Sequence, residues 1–149
     1  MADLKRVRDD VERFGCHVVL VPAGQNASDE PAFAYSVGLF RTRRHPEVVV
    51  VGLSLETMHA MINTIHDLVR AGSAFSPGQR CDDVLEGVPV RFGGVARECY
   101  DSHLGVAIDF YSGDDFPALQ CLWPDKDGRF PPDPDCAAAI IDRQPALGR

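Results

Sequence analysis

The sequence predicts an α+β fold: a single compact domain over residues 1–149, with a mixed or mainly antiparallel sheet of about six strands and three to four helices. Three observations carry this expectation. Between Ser54 and Gly72 the chain places Met58, Met61, Ile62, Ile65, Leu68 and Val69 on one helical stripe. Residues 48–51 are four consecutive valines, apolar at every position instead of alternate ones, which marks a strand covered on both faces at the centre of a sheet. Helix-like and strand-like segments interleave without the regular strand–helix–strand rhythm that a fully parallel sheet imposes.

The elements follow in order. Leu4, Val7, Val11 and Phe14 share a helical stripe, with Asp3 placed to cap it and Gly15 to end it. A strand follows at "CHVVLVP", then a polar loop, "AGQNASDEPA". "AFAYSVGLF" and "EVVVVGL" read as two further strands joined by an arginine-rich connection. The long helix begins at Ser54 as N-cap and stops before Gly72, with His59, Asn63, His66 and Arg70 on the face opposite its apolar stripe. Residues 81–86 and 88–97 form a hairpin around "EGVP". A third helix runs from about Tyr100 to Tyr111, with Leu104, Ala107, Ile108 and Tyr111 facing inward. "ALQCLWP" is the sixth strand and "KDG" a turn. A last short helix uses Asp135 as its cap, and Pro145 prevents its continuation.

Composition narrows the function classes. Apolar residues are 45% and charged residues 25%, as in ordinary globular proteins. A formal net charge of −7 argues against a non-specific nucleic-acid binder, because phosphate affinity comes from neutralising Lys and Arg. No run of eighteen apolar residues is present, so no membrane association is expected. The charged amino-terminal stretch lacks the continuous apolar region of a signal peptide, which makes a cytoplasmic location the expectation.

The five cysteines are widely spaced and form no C-x-x-C pair, so they read as small hydrophobes. No metal site is expected. His59 and His66 lie seven residues apart, roughly 10 Å along a helix, too far to share one ion comfortably. Asp125 and Asp127 have the spacing of a calcium loop, but Arg129 occupies the next ligand position. The phosphate-binding G-x-x-x-x-G-K-[ST] loop, the G-x-S-x-G elbow and H-E-x-x-H are all absent. The sequence identifies no cofactor and no oligomeric state.

One stretch stands out chemically: "FRTRRHPEVVVVGL", residues 40–53. Arg41, Arg43, Arg44 and His45 are concentrated on a short connection within an acidic chain. Arginine suits planar, bidentate contact with carboxylate or phosphate. Pro46 restricts His45 to extended backbone, and Glu47 is placed to pair with one of the cations. The alternative is a solvated loop whose arginines meet the chain's own carboxylates.

"YSVGL" at 35–39, "HPEVVVVGL" at 45–53, "WPDKDGRFP" at 123–131 and "QPALG" at 144–148 together resemble a family of small bacterial proteins catalogued as domain of unknown function 4262. Order and spacing fit from about residue 12 to 148. The resemblance implies no activity, but it groups Tyr35, Gly38, His45, Pro46, Glu47, Trp123, Pro124, Asp125, Pro131, Gln144 and Pro145. Three functional expectations result. The first is a binding module for an anionic small molecule or an acidic partner segment. Arg41, Arg43, Arg44 and His45 supply its charge, Tyr35 and Trp123 its apolar walls, with Glu47 and Gln144 in the same site. The second is a hydrolase or transferase with His45 as general acid/base, oriented by Asp125 or Glu47. The third is a structural or immunity-type interaction protein in which the same motifs are fold determinants.

Overall fold

The computed structural model describes residues 4–24 and 30–148. Asp3, the expected cap of the first helix, lies outside them, as does the middle of the polar loop. At the centre is β3 (Glu47–Val51), whose four valines are all 0% exposed. Val48 and Val50 enter one core, and Val49 and Val51 the other, as the two-residue repeat of a strand requires. Burying a valine side chain stabilises by roughly 1.5–3 kcal/mol, so this strand anchors both layers.

The sheet contains β1 (His17–Val21), β2 (Phe33–Val37), β3, β4 (Arg80–Leu85), β5 (Val88–Gly94) and β6 (Ala118–Leu122), in the order β1-β2-β3-β6-β5-β4. Only β3 and β6 run parallel; every other neighbouring pair is antiparallel. The expected mixed, mainly antiparallel α+β architecture is therefore what the chain adopts. One face carries the long helix α3 (Leu55–Arg70), and the other carries α1 (Leu4–Phe14) with α4 (Tyr100–His103) and α5 (Gly105–Tyr111). Ser54 caps α3 as expected, its Oγ accepting the Thr57 amide at 3.1 Å. No helix among the described residues is long and apolar enough to cross a membrane.

The structure departs from the sequence expectation at four places. The strand expected through Phe40 stops at Val37, and Leu39–Arg43 instead form a one-turn helix, α2. The turn into α2 needs Gly38, which has φ 102° and leaves no room for a Cβ: one would lie 2.5 Å from Val11 Cγ2. The third helix is divided. A 3-10 turn (Arg97–Cys99) leads into α4, and the backbone breaks at Leu104 before α5, next to the poor helix former Gly105. His66 is buried, not on an exposed face. Finally, α6 (Ala138–Arg143) takes its cap from Asp125, whose Oδ2 accepts the Ala137 amide at 2.9 Å. Asp135 is exposed and performs no such role.

Candidate functional site: the α1–α2–α3 cleft

Glu47 begins β3 with its side chain fully buried, and its carboxylate accepts five hydrogen bonds. The Ser36 hydroxyl donates at 2.6 Å, and the amides of Gly38, Leu39 and Phe40 donate at 2.9, 3.2 and 3.2 Å. The Tyr111 hydroxyl supplies the fifth. The hydroxyl directions are fixed, because Ser36 Oγ itself accepts from the Val48 amide and Tyr111 Oη from the Arg41 amide. Burial pushes the Glu47 carboxyl up, and the donors from Ser36, Tyr111 and the backbone oppose that shift. The expected pairing of Glu47 with an arginine is not made. Its carboxylate instead closes the start of α2, and so sets where the arginines point.

Those arginines diverge. Arg41 lies over the Phe110 ring at 4.8 Å, and Arg44 occupies the left-handed C-cap of α2 on the exposed surface. Arg43 alone of the three enters a cleft of about 850 Å³ between the end of α1, the start of β1, α2 and α3. Thr42 forms part of its wall, donating from Oγ1 to the Gly15 carbonyl at 2.6 Å.

His45 does not enter this cleft. It is 4% exposed, its Nδ1–H donates to the Pro46 carbonyl at 2.8 Å, and its Nε2 accepts the Phe75 amide at 3.0 Å. Both ring nitrogens thus serve the backbone, and burial pushes the imidazole pKa down. Nor does His45 meet Asp125. Glu47 pairs with Ala118 in the parallel β3–β6 ladder, so His45 precedes one end of that pair and Asp125 follows the other. Their separation along the strands is on the order of 20 Å. The expected His45–Asp125 catalytic pair is therefore corrected to two separate backbone anchors.

The remaining expected site residues are dispersed as well. Tyr35 lies in the core beneath α5, its hydroxyl accepting the Val106 amide at 2.9 Å; burial raises its pKa to about 12. Trp123 lies in the opposite core and donates from Nε1 to the Val51 carbonyl at 2.8 Å. The two rings cannot wall one pocket. Gln144 is 0% exposed and exchanges two 2.7 Å hydrogen bonds with the Trp123 backbone, clasping the carboxyl-terminal segment to the end of β6. Asp125 accepts amides from Asp127, Arg129 and Ala137, and the Arg129 and Ala137 bonds lead in holding its carboxyl below the usual carboxylate range.

What the cleft does assemble is a different set. Gly15 ends α1 with φ 93°, and the space its missing Cβ leaves is flanked by His66 Nε2 at 3.2 Å and Arg43 Nη2 at 3.3 Å. His66 is 8% exposed, and its Nε2 has no hydrogen-bond partner among the described residues. Burial, then the positive fields of Arg43 and Arg70, push its pKa down. Arg6, Arg13, His17 and His59 also line the cleft, together with Asp10, Glu12 and Asp67. Two of these carboxylates are engaged: Asp10 Oδ2 contacts His17 Nδ1 at 2.7 Å, and Asp67 meets Arg70 at 3.2 Å. Cys16 lines the cleft too, but burial and the Glu47 charge push its thiol up, which disfavours the thiolate.

The profile of the family described as Domain of unknown function (DUF4262) matches residues 10–137. The chain belongs to the DUF4262 family. No curated protein and no solved structure matches the chain. In this DUF4262 protein the motifs that carry the resemblance are bonding hubs. "YSVGL" and "HPE" build the Glu47 cluster, whereas "WPD" anchors α6 and the carboxyl-terminal segment. Gln144 lies beyond the matched residues yet bonds directly to Trp123 within them.

Asp10, Gly15, His17, His66 and Arg70 were not assigned to a site from the sequence. His66 carried a signal: at about 100° per residue it falls roughly 40° beyond Ile62, nearer the edge of the α3 apolar stripe than the opposite face. Asp10 and Gly15 looked like ordinary helix residues, since nothing local reveals that α1 ends against α2 and α3.

Proposed function

We propose that this DUF4262 protein binds a small anionic molecule, bearing a carboxylate or phosphoryl group, in the cleft between α1, α2 and α3. One observation carries the reading: the buried, unpartnered Nε2 of His66 and the Arg43 guanidinium converge on Gly15 in the cleft wall. A buried polar atom left without a partner costs roughly 1–3 kcal/mol, and a ligand oxygen accepting from Nε2–H and Arg43 removes that cost. Arg6, Arg13, Arg43 and Arg70 against Asp10, Glu12 and Asp67 leave the cleft one formal positive charge inside a chain of net charge −7, with Asp67 and Arg70 paired to each other.

The test is a titration with inorganic phosphate and with acetate, followed through the Gly15 amide resonance. Replacing Arg43 by alanine is expected to weaken binding at least tenfold, about 1.4 kcal/mol. Unchanged affinity removes the proposal.

A second reading, as a hydrolase or transferase, draws on the Asp10–His17 contact. A carboxylate on Nδ1 orients the ring and leaves Nε2 as the proton acceptor, the arrangement a general base requires. Under this reading Asp10→Asn abolishes hydrolysis of 4-nitrophenyl phosphate or 4-nitrophenyl acetate while phosphate affinity stays within twofold. If the unaltered protein turns over neither ester, the cleft is a binding site alone.

A further inference from the structure

A second cluster of arginines lies at the other edge of the sheet. Arg80 on β4 and Arg91 on β5 are direct register partners, so their side chains leave the same face with Cβ atoms roughly 5 Å apart. Like charges placed opposite one another destabilise a strand pair. Neither arginine makes an ion pair among the described residues, although the chain holds 22 acidic residues against 15 Lys and Arg. Scarcity of carboxylates is therefore no explanation.

The turn after β6 brings a third cation to the same place. Arg80, Arg91 and Arg129 line a recess of about 390 Å³ with Gly78, Gly128, Phe130 and Asp133. Arg80 is held over the Phe130 ring at 5.4 Å, which orients its guanidinium. Arg129 has only a 3.7 Å contact with the half-exposed Asp127. Asp133, the one carboxylate lining the recess, already accepts the Asp135 amide through Oδ1 at 2.9 Å. The recess thus has three guanidinium groups and one partly committed carboxylate, an excess suited to a dianion.

We infer that Arg80, Arg91 and Arg129 form a separate site for a phosphoryl group, either free phosphate or the phosphate of a small monoester. Guanidinium forks match phosphate oxygens in pairs, and a dianion between Arg80 and Arg91 turns their mutual repulsion into shared attraction. The site is independent of the α1–α2–α3 cleft. β4 and β1 are opposite edges of a six-stranded sheet, roughly 24 Å apart at the usual strand spacing.

Glycine amides separate the two sites in one experiment, because Gly78 and Gly128 line the recess and Gly15 lines the cleft. The full chain is titrated with inorganic phosphate and with glycerol phosphate, with chloride at matched ionic strength as control, and the three resonances are followed. Expected are saturable shifts at Gly78 and Gly128 that survive Arg43→Ala and weaken at least tenfold in both Arg91→Ala and Arg129→Ala. Tighter binding of the monoester assigns the site to phosphomonoesters, and equal or weaker binding assigns it to free phosphate. Resonances that do not move, that move as far with chloride, or that move in either arginine variant as they do in the unaltered chain overturn the inference, whatever Gly15 does.

Discussion

Glu47 shows how much a single side chain decides here. Its carboxylate accepts two hydroxyls and three amides, so each of its donors depends on its oxygens. Glu47→Ala leaves five donors without their acceptor, three of them in fully buried bonds, and its cost is expected at about 4 kcal/mol, near that of breaking a buried charged network. Tyr111→Phe removes one donor and leaves four, so about 1–2 kcal/mol is expected. Urea unfolding of the two variants measures both. A cost for Glu47→Ala no larger than that for Tyr111→Phe contradicts the cluster's role as the anchor of α2. From the sequence, Glu47 was legible as a residue of consequence at the mouth of a strand, but its partners were not. Tyr111 is 64 residues away, and only the folded chain brings its hydroxyl to the carboxylate.

At the scale of elements, legibility follows locality. β3 and α3 can be read directly, because an all-valine run and a 3.6-residue repeat each describe their own surroundings. α2 cannot. Five residues rich in arginine carry no periodic signal, and this turn exists because Glu47 holds its first amides while Gly38 admits Val11 at the point where a side chain would collide. The same limit explains α6. Asp135 and Asp125 are both plausible caps by residue type, and the choice falls to Asp125 because the turn closed by its own backbone aims Oδ2 at Ala137. The arginines illustrate the consequence for function. Their concentration was visible in sequence, but the one-turn helix sends Arg43 into the cleft, Arg41 onto Phe110 and Arg44 to solvent. A loop with no helix would give no reason to separate them.

The cleft belongs to the whole molecule, since Asp10, Gly15, Arg43 and His66 come from α1, its end, α2 and α3. Its histidine chemistry also couples to global stability. Burial pushes His45, His66 and His103 below the ordinary histidine range, so the native state favours their neutral forms. For His45 the geometry gives the reason: protonating Nε2 destroys its acceptance of the Phe75 amide. The unfolded chain takes up these protons near pH 6.5, whereas the native chain does so only at lower pH. Stability contributed by the neutral histidines is complete above pH 6.5 and is lost as pH falls through the depressed native values. Glu47 works in the opposite sense: burial raises its pKa, so stability held by its protonated form is lost as pH rises through that value. Asp125 stays outside this window, its carboxyl being held below the usual range. His45→Gln separates these contributions. The carboxamide oxygen can accept the Phe75 amide but does not titrate, so the variant should lose less stability than the parent between pH 7.5 and 5.5. Urea midpoints at the two pH values are the measurement. A variant whose midpoint falls as far as the parent's would mean that His45 is not a proton-linked anchor of the fold, and that the other groups carry the whole dependence.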